Sequence, residues 1–320
     1  MPKPGALGTG CGVGPVARGA LAAARAAAGP RPPPTAARQR HPPEHHPEHH
    51  PALREDSVFT RELGLTQAEY GKAGGVRTRQ HVNPLRLELQ RPLPPPPDWG
   101  AVFPAPARPL TVDCGCGSGR FLLLLAKRAA DGGGGGGAAG NFLGMEIREK
   151  LVGRANTWRD NLGLPHAQFL TANATVSFRS LLETYPGPLE LVCIQFPDPH
   201  FKVRHRKRRI VQPELVRAVA DLLAPGGRVF LQSDVEEVAA DMRDHFEEAV
   251  GARFELAAEH ARAGATFLGE HSRNRGGLTW ASAGWLRENP LGAPTERELY
   301  AEADGDRAHR VLLVKKRAAA

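Results

Sequence analysis

Leu110-Thr-Val-Asp-Cys-Gly-Cys-Gly-Ser-Gly119 reads as an apolar strand, an acid near its end, a glycine-rich turn and the start of a helix. Gly115, Gly117 and Gly119 let the backbone turn sharply and leave room for a ligand where a Cβ would otherwise stand. The spacing is Gly-x-Gly-x-Gly, not the Gly-x-Gly-x-x-Gly of dinucleotide binders. Gly-rich turns also serve only to pack a helix on a sheet, so the surrounding sequence has to decide. Outward from this turn, strand and helix signals alternate. Strands are expected over 110–114, 141–147, 167–172, 189–196, 228–233, 254–259 and 311–315. Helices are expected over 119–130, 150–161, 177–184, 213–223 and 235–250. This alternation predicts a mostly parallel seven-stranded sheet with helices on both faces. The last two strands, split by a long insertion, are expected as an antiparallel hairpin at one edge. The six-glycine run Gly132–Gly137 is expected as a surface loop.

The second strand ends in Glu146, where an acid can accept both hydroxyls of a ribose. The third ends in Thr171-Ala-Asn-Ala174, where Asn173 can either meet an adenine edge or serve as an ordinary turn residue. With Asp113, two acids face one crevice. They would repel a pyrophosphate and attract a cation, which favours S-adenosylmethionine, a sulfonium and ammonium cation, over a nicotinamide dinucleotide.

The fourth strand runs into Phe196-Pro-Asp-Pro-His-Phe-Lys-Val-Arg-His-Arg-Lys-Arg-Arg-Ile210. Six of the eight residues 202–209 are Lys or Arg, namely Lys202, Arg204, Arg206, Lys207, Arg208 and Arg209. The formal net charge is +8; residues 1–55 carry seven basic and three acidic side chains, so residues 56–320 carry +4. Without those six charges the body would be at −2 (4 − 6), so its basicity is one local patch suited to phosphates. A solvated loop or a nuclear-localisation-like cluster are the bland readings, and the middle of a fold is a poor place for a detachable signal. Asp198, held between Pro197 and Pro199, is either a strand-ending turn or the acid at the centre of the chemistry.

The 43 residues before Glu44 hold six basic residues and no acid, in Ala-, Pro- and Gly-rich sequence. That is the composition of an organelle transit peptide, or of a compositionally biased disordered tail. Residues 1–55 are therefore set apart, 56–107 read as an arm with a helical stretch at Thr66–Lys72 and a Pro94–Pro97 spacer, and 108–320 as the catalytic domain. Four cysteines lack zinc spacing, no metal site is expected, and no apolar run is long enough to span a bilayer.

Asp113-Cys-Gly-Cys-Gly-Ser-Gly119, Phe142-Leu-Gly-Met-Glu-Ile147, the run from Gln195 through Phe-Pro-Asp-Pro to Gln212, Gln232-Ser-Asp-Val235 and Asn289-Pro-Leu-Gly-Ala-Pro-Thr-Glu-Arg-Glu298 together resemble the TrmB-type tRNA (guanine-N7-)-methyltransferases. The likeness spans roughly 108–316, and Arg77-Thr-Arg-Gln-His-Val-Asn-Pro84 resembles that family's N-terminal arm. It implies a Rossmann-like class I methyltransferase fold and transfer of a methyl group from S-adenosylmethionine to N7 of a guanine in tRNA, at the variable loop. It implies that Asp113, Glu146, Asn173 and Asp198 line the cofactor site. It also implies that Lys202, Asp234, Thr295, Glu296, Arg297 and Glu298 meet the tRNA or its target base. Thr295-x-x-Glu298 is equally a helix capping box, and both readings can hold together. His200 departs from the pattern, standing where relatives often carry Trp. The arm and the Pro-Thr-Glu-Arg-Glu box resemble the plastid and cyanobacterial branch, which points to the chloroplast, with the mitochondrion as alternative. No obligate protein partner is expected. Two rivals stay open: an RNA methyltransferase acting on an exocyclic amine, and a non-catalytic RNA-binding protein with a vestigial fold.

Overall fold

Five strands pair in parallel in the order β3-β2-β1-β4-β5, and two more complete a seven-stranded sheet in the order β3-β2-β1-β4-β5-β9-β6. The strands are β1 (Leu110–Cys114), β2 (Asn141–Glu146), β3 (Ala167–Thr171), β4 (Leu189–Gln195), β5 (Leu223–Ser233), β6 (Phe254–Leu256) and β9 (His309–Lys315). This computed structural model describes residues 51–66, 68, 82–96, 98–132, 140–274 and 276–317. The described residues all fall within one compact unit. The chain order reverses between β1 and β4, so the crevice beyond their carboxyl ends is where an open α/β sheet binds its ligand.

The parallel strands are buried on both faces, which explains their nearly unbroken apolar runs. Val192 and Ile194 face a core shared with α4 (Ala174–Leu182), α5 (Pro213–Leu222) and α6 (Glu236–Val250). Leu191 and Cys193 face a second core shared with α1 (Val58–Leu63), α2 (Arg120–Ala130) and α3 (Glu149–Asn161). A last helix, α7 (Glu296–Ala303), precedes β9.

Two departures from the sequence reading have physical causes, while the expected antiparallel hairpin stands at one edge of the sheet: β6 pairs with β9, and β9 with β5. Between β6 and β9, residues 257–308 carry α7 and a small ribbon of β7 (Thr266–Phe267) and β8 (Trp285–Leu286). Strands of two residues have no periodicity to read. β5 begins at Leu223 instead of 228, because Pro225-Gly-Gly227 is an irregular extension of the strand and not a turn before it.

The segment read as an arm is packed into the body where it is described. Phe59, Leu63 and Leu65 join the core under α2. Trp99 and Phe103 stack with ring centroids 6.1 Å apart in the other core, and Trp99 meets Tyr185 edge-on at 5.0 Å. Ala52 is fully buried, so residues 51–55 belong to this body and not to the preceding segment. Most of the expected helix 66–72, together with Arg77, Arg79, His81 and Gly133–Gly137, lies outside the described residues.

Candidate active site

The crevice is built from four strand ends. After β1 the chain passes through Gly115 and Gly117 in left-handed conformation (φ 87° and 55°), which a side chain would strain. The Gly115 and Cys116 amides both donate to the Met145 carbonyl (2.8 and 3.1 Å), locking the turn against the end of β2. A Cβ at Gly115 would point into the crevice with Ile210 Cδ1 as its nearest neighbour at 3.8 Å. Gly119 does different work: a Cβ there would strike Phe169 at 2.6 Å and Ala155 at 2.8 Å, so it packs α2 and touches no crevice.

Gly115, Glu146, Asn173, Phe196, Asp198 and Arg208 are among the residues that line one cavity. Glu146 is buried; its Oε2 accepts from the Gly117 amide (3.1 Å), and Oε1 accepts from the Arg148 amide and Nε (3.0 and 2.9 Å). Asp113 sits behind this cavity. Burial pushes its pKa up to about 7, opposed by a hydrogen bond from Gln195 (3.4 Å) and reinforced by the Glu146 charge. Acids crowded in this way fit a cationic ligand, whose charge would relieve both the desolvation and the repulsion. Asn173 lines the cavity, but its side chain is committed elsewhere. Oδ1 caps α4 by accepting from the Thr175 amide (3.1 Å), and Nδ2 donates to the Leu89 carbonyl (3.0 Å). These bonds give Asn173 the turn role that the sequence also allowed.

Asp198 stands exposed at the cavity rim. Phe196 and His200, on either side of the Pro-Asp-Pro turn, hold φ at 47° and 43°. Left-handed backbone at two bulky residues stores strain of about 1–3 kcal/mol each, which the surrounding packing has to hold. Behind the turn, the basic run forms a 3₁₀ helix, Val203–Arg208. Lys202, Arg204, Arg206 and Lys207 are exposed, and Arg208 is half-buried in the cavity wall.

Arg209 is a correction to the reading of that run as six phosphate ligands. It is buried, donating to the Pro199 carbonyl (2.8 Å) and pairing with Glu237 and Asp241 (both 3.0 Å). Its guanidinium ties the Pro-Asp-Pro backbone to α6. Arg206 also reaches Glu237, at 2.9 Å.

The N-terminus of α7 packs against the glycine turn. Thr295 and Glu298 form a reciprocal capping box. Glu296 accepts from Ser118 of the glycine turn (2.6 Å) and pairs with buried Arg120; Arg297 pairs with Asp234. Glu298 is the second correction: it is 2% exposed, so no RNA surface is open to it. Its carboxylate accepts from Arg310 (2.7 Å), Asn289 (3.0 Å) and Gln232 (3.2 Å). Gln232 donates to Gln195 (2.8 Å), which donates to Asp113, so a buried polar chain runs from α7 to the floor of the crevice.

A family model described as "Putative methyltransferase" matches residues 107–265. The tRNA (guanine-N(7)-)-methyltransferase of Synechococcus sp. strain JA-3-3Ab is 48% identical over 227 residues, 71% of this chain and 80% of that protein. The enzyme of the same name from Synechocystis sp. strain PCC 6803 is 45% identical, over 70% of this chain and 90% of that one. The chain belongs to the tRNA (guanine-N(7)-)-methyltransferase family. Among solved structures, the 16S rRNA methyltransferase KamB aligns with 76% of this chain and 98% of its own at TM-score 0.41 and 14% identity.

For a methyltransferase of this family, the reading of the residues missed Arg148, Gln195, Gln232 and Arg310. A signal existed for two of them. Gln195 and Gln232 are polar side chains that close the apolar runs 191–194 and 229–231, and they sit side by side in register across β4 and β5. Arg310 carries no such mark, because its partners come together only in the fold, while Arg148 binds Glu146 only two residues before it. Among the described residues no cluster of three His, Cys, Asp or Glu side chains could hold a metal, and no helix is long and apolar enough to cross a membrane.

Proposed function

We propose that the crevice binds S-adenosylmethionine over Gly115 and Glu146, and that Asp198 presents a tRNA guanine, from the variable loop, to the cofactor's methyl group. When bound, S-adenosylmethionine supplies an electrophilic methyl on a sulfonium. Guanine N7 carries an exposed lone pair, so no base has to remove a proton. N7 forms its bond to the methyl as the sulfur–methyl bond breaks, and the positive charge passes from sulfur to the ring. The protein's task is in-line positioning and support of that charge. Glu146 offers a carboxylate to ribose hydroxyls once Arg148 yields. Asp198 accepts from guanine N–H donors and counters the ring's developing charge. Lys202, Arg204, Arg206, Lys207 and Arg208 hold backbone phosphates. Thr295, Glu296, Arg297 and Asp234 border the same end of the sheet, with Glu296 latched to the glycine turn.

The observation that carries this reading is Asp198 itself: an exposed acid on a strained, double-proline turn, at the rim of the cavity and directly ahead of the cations. Full-length protein, mixed tRNA and labelled S-adenosylmethionine should yield 7-methylguanosine by nucleoside mass spectrometry. Asp198→Ala should lower the rate about a hundredfold or more. Label on an exocyclic amine would overturn the N7 assignment. An unchanged rate in the variant would remove Asp198 from the reaction. We further propose that the segment ahead of residue 51, basic and acid-free up to Glu44, directs the chain to the chloroplast, as the cyanobacterial relatives support.

A further inference from the structure

The chain has twelve Phe, four Trp and three Tyr. Among the described residues every one is buried or half-buried except Phe201, which is 42% exposed. It stacks on no other ring among the described residues. Every other described aromatic is thus more fully covered than this one, which stands three residues after Asp198.

Its setting is specific. His200, with φ at 43°, still lines the cavity, and Phe201 does not, so the chain turns from crevice to surface between them. Exposed Lys202 and Arg204 follow directly. Three residues span at most about 11 Å of extended chain. A ring here lies within about one or two nucleotides of a base held by Asp198. A guanine whose N–H donors meet Asp198 cannot be paired, and displacing it leaves neighbouring bases unstacked at some cost. An apolar ring among cations is the chemistry that recovers this loss, because every base has a π-face and phosphates reach the cations beside it.

We propose that Phe201 is a stacking platform for an unstacked base of the tRNA, next to or at the target guanine. The inference rests on the functional reading above. Its test uses full-length Phe201→Ala, Phe201→Leu and Phe201→Trp, measuring tRNA affinity at several salt concentrations, KM and kcat for methylation, and cofactor affinity. Phe201→Ala and Phe201→Leu should bind tRNA roughly tenfold more weakly, and Phe201→Trp should restore binding. The salt slope and cofactor affinity should match wild type, since stacking releases no counterions. Leucine binding as well as phenylalanine would overturn the platform, as would alanine at wild-type affinity. A changed salt slope would also overturn it, by placing the effect in the cations. Wild-type protein that binds no tRNA would sink the functional reading and the platform together, whereas an active wild type with an indifferent alanine variant sinks only the platform.

Discussion

Asp113 holds its proton to a pH of about 7, where a carboxylate in water, with its ordinary value of 3.8, would have lost it. The folded protein therefore binds this proton more tightly than the unfolded chain does. Stability from Asp113 is full below about 3.8, falls as pH rises towards 7, and is lost above it. Asp113→Asn keeps the shape and the Gln195 contact without the charge. Its melting temperature should match wild type near pH 4, exceed it increasingly up to pH 7 and stay higher by a constant amount beyond. Parallel curves from pH 4 to 8 would mean that Asp113 is not the strained acid described. Residues at this scale differed in how legible they were. Asp113, Glu146 and Asp198 stood out in the sequence because each is an acid at or just past the carboxyl end of an apolar run. Asn173, Arg209 and Glu298 were legible as types but not as partners: the Asn173 amide reaches Leu89, 84 residues away, Arg209 reaches Glu237, 28 residues away, and Glu298 is held by Arg310 and Gln232.

Helix α7 depends on one carboxylate for two tasks. Glu298 completes the capping box and also neutralises Arg310, which is 6% exposed on β9 and donates to the Gln232 and Arg287 oxygens as well (3.1 and 2.7 Å). Losing a cap typically costs about 1 kcal/mol. Stripping a buried guanidinium of its carboxylate costs about 3–5 kcal/mol. In urea unfolding, Thr295→Ala should therefore lose about 1 kcal/mol and Glu298→Gln about three times that. Equal losses would show that Glu298 is only a cap. The capping box was legible from Thr-x-x-Glu, since it is local. Its second task was not, because Arg310 reaches Glu298 only once β9 has inserted between β5 and β6. Long elements with clear periodicity were placed to within a few residues. Helix α4 begins at Ala174, three residues before the expected 177, because Asn173-Ala-Thr reads as a turn until its asparagine is seen to cap.

Across the whole molecule, composition misplaced the boundary between body and tail. Prolines and a lack of periodicity made residues 56–107 look like a detached arm, yet Phe59, Leu63, Trp99 and Phe103 are core residues. Isolated aromatics in Pro-rich sequence give no pattern, so only the surface they cover identifies them. Ser57 caps α1 and also donates to the Ala52 carbonyl (2.9 Å), and Glu62 holds Arg128 of α2 with two contacts of 2.8 Å. A chain begun at residue 45 keeps all of this, and one begun at residue 67 loses Phe59, Leu63 and Leu65. Removing a buried Phe alone costs about 3–5 kcal/mol, which for a body of this size lowers the melting temperature by on the order of 10 °C. Chain 45–320 should therefore methylate tRNA and melt well above chain 67–320, while a fluorescent fusion shows it outside plastids that the full-length fusion enters. Equal melting of the two truncations would mean that the N-terminal helix adds nothing to the body. Import of chain 45–320 into plastids would move the address out of the acid-free segment, and exclusion of the full-length fusion would end the chloroplast assignment.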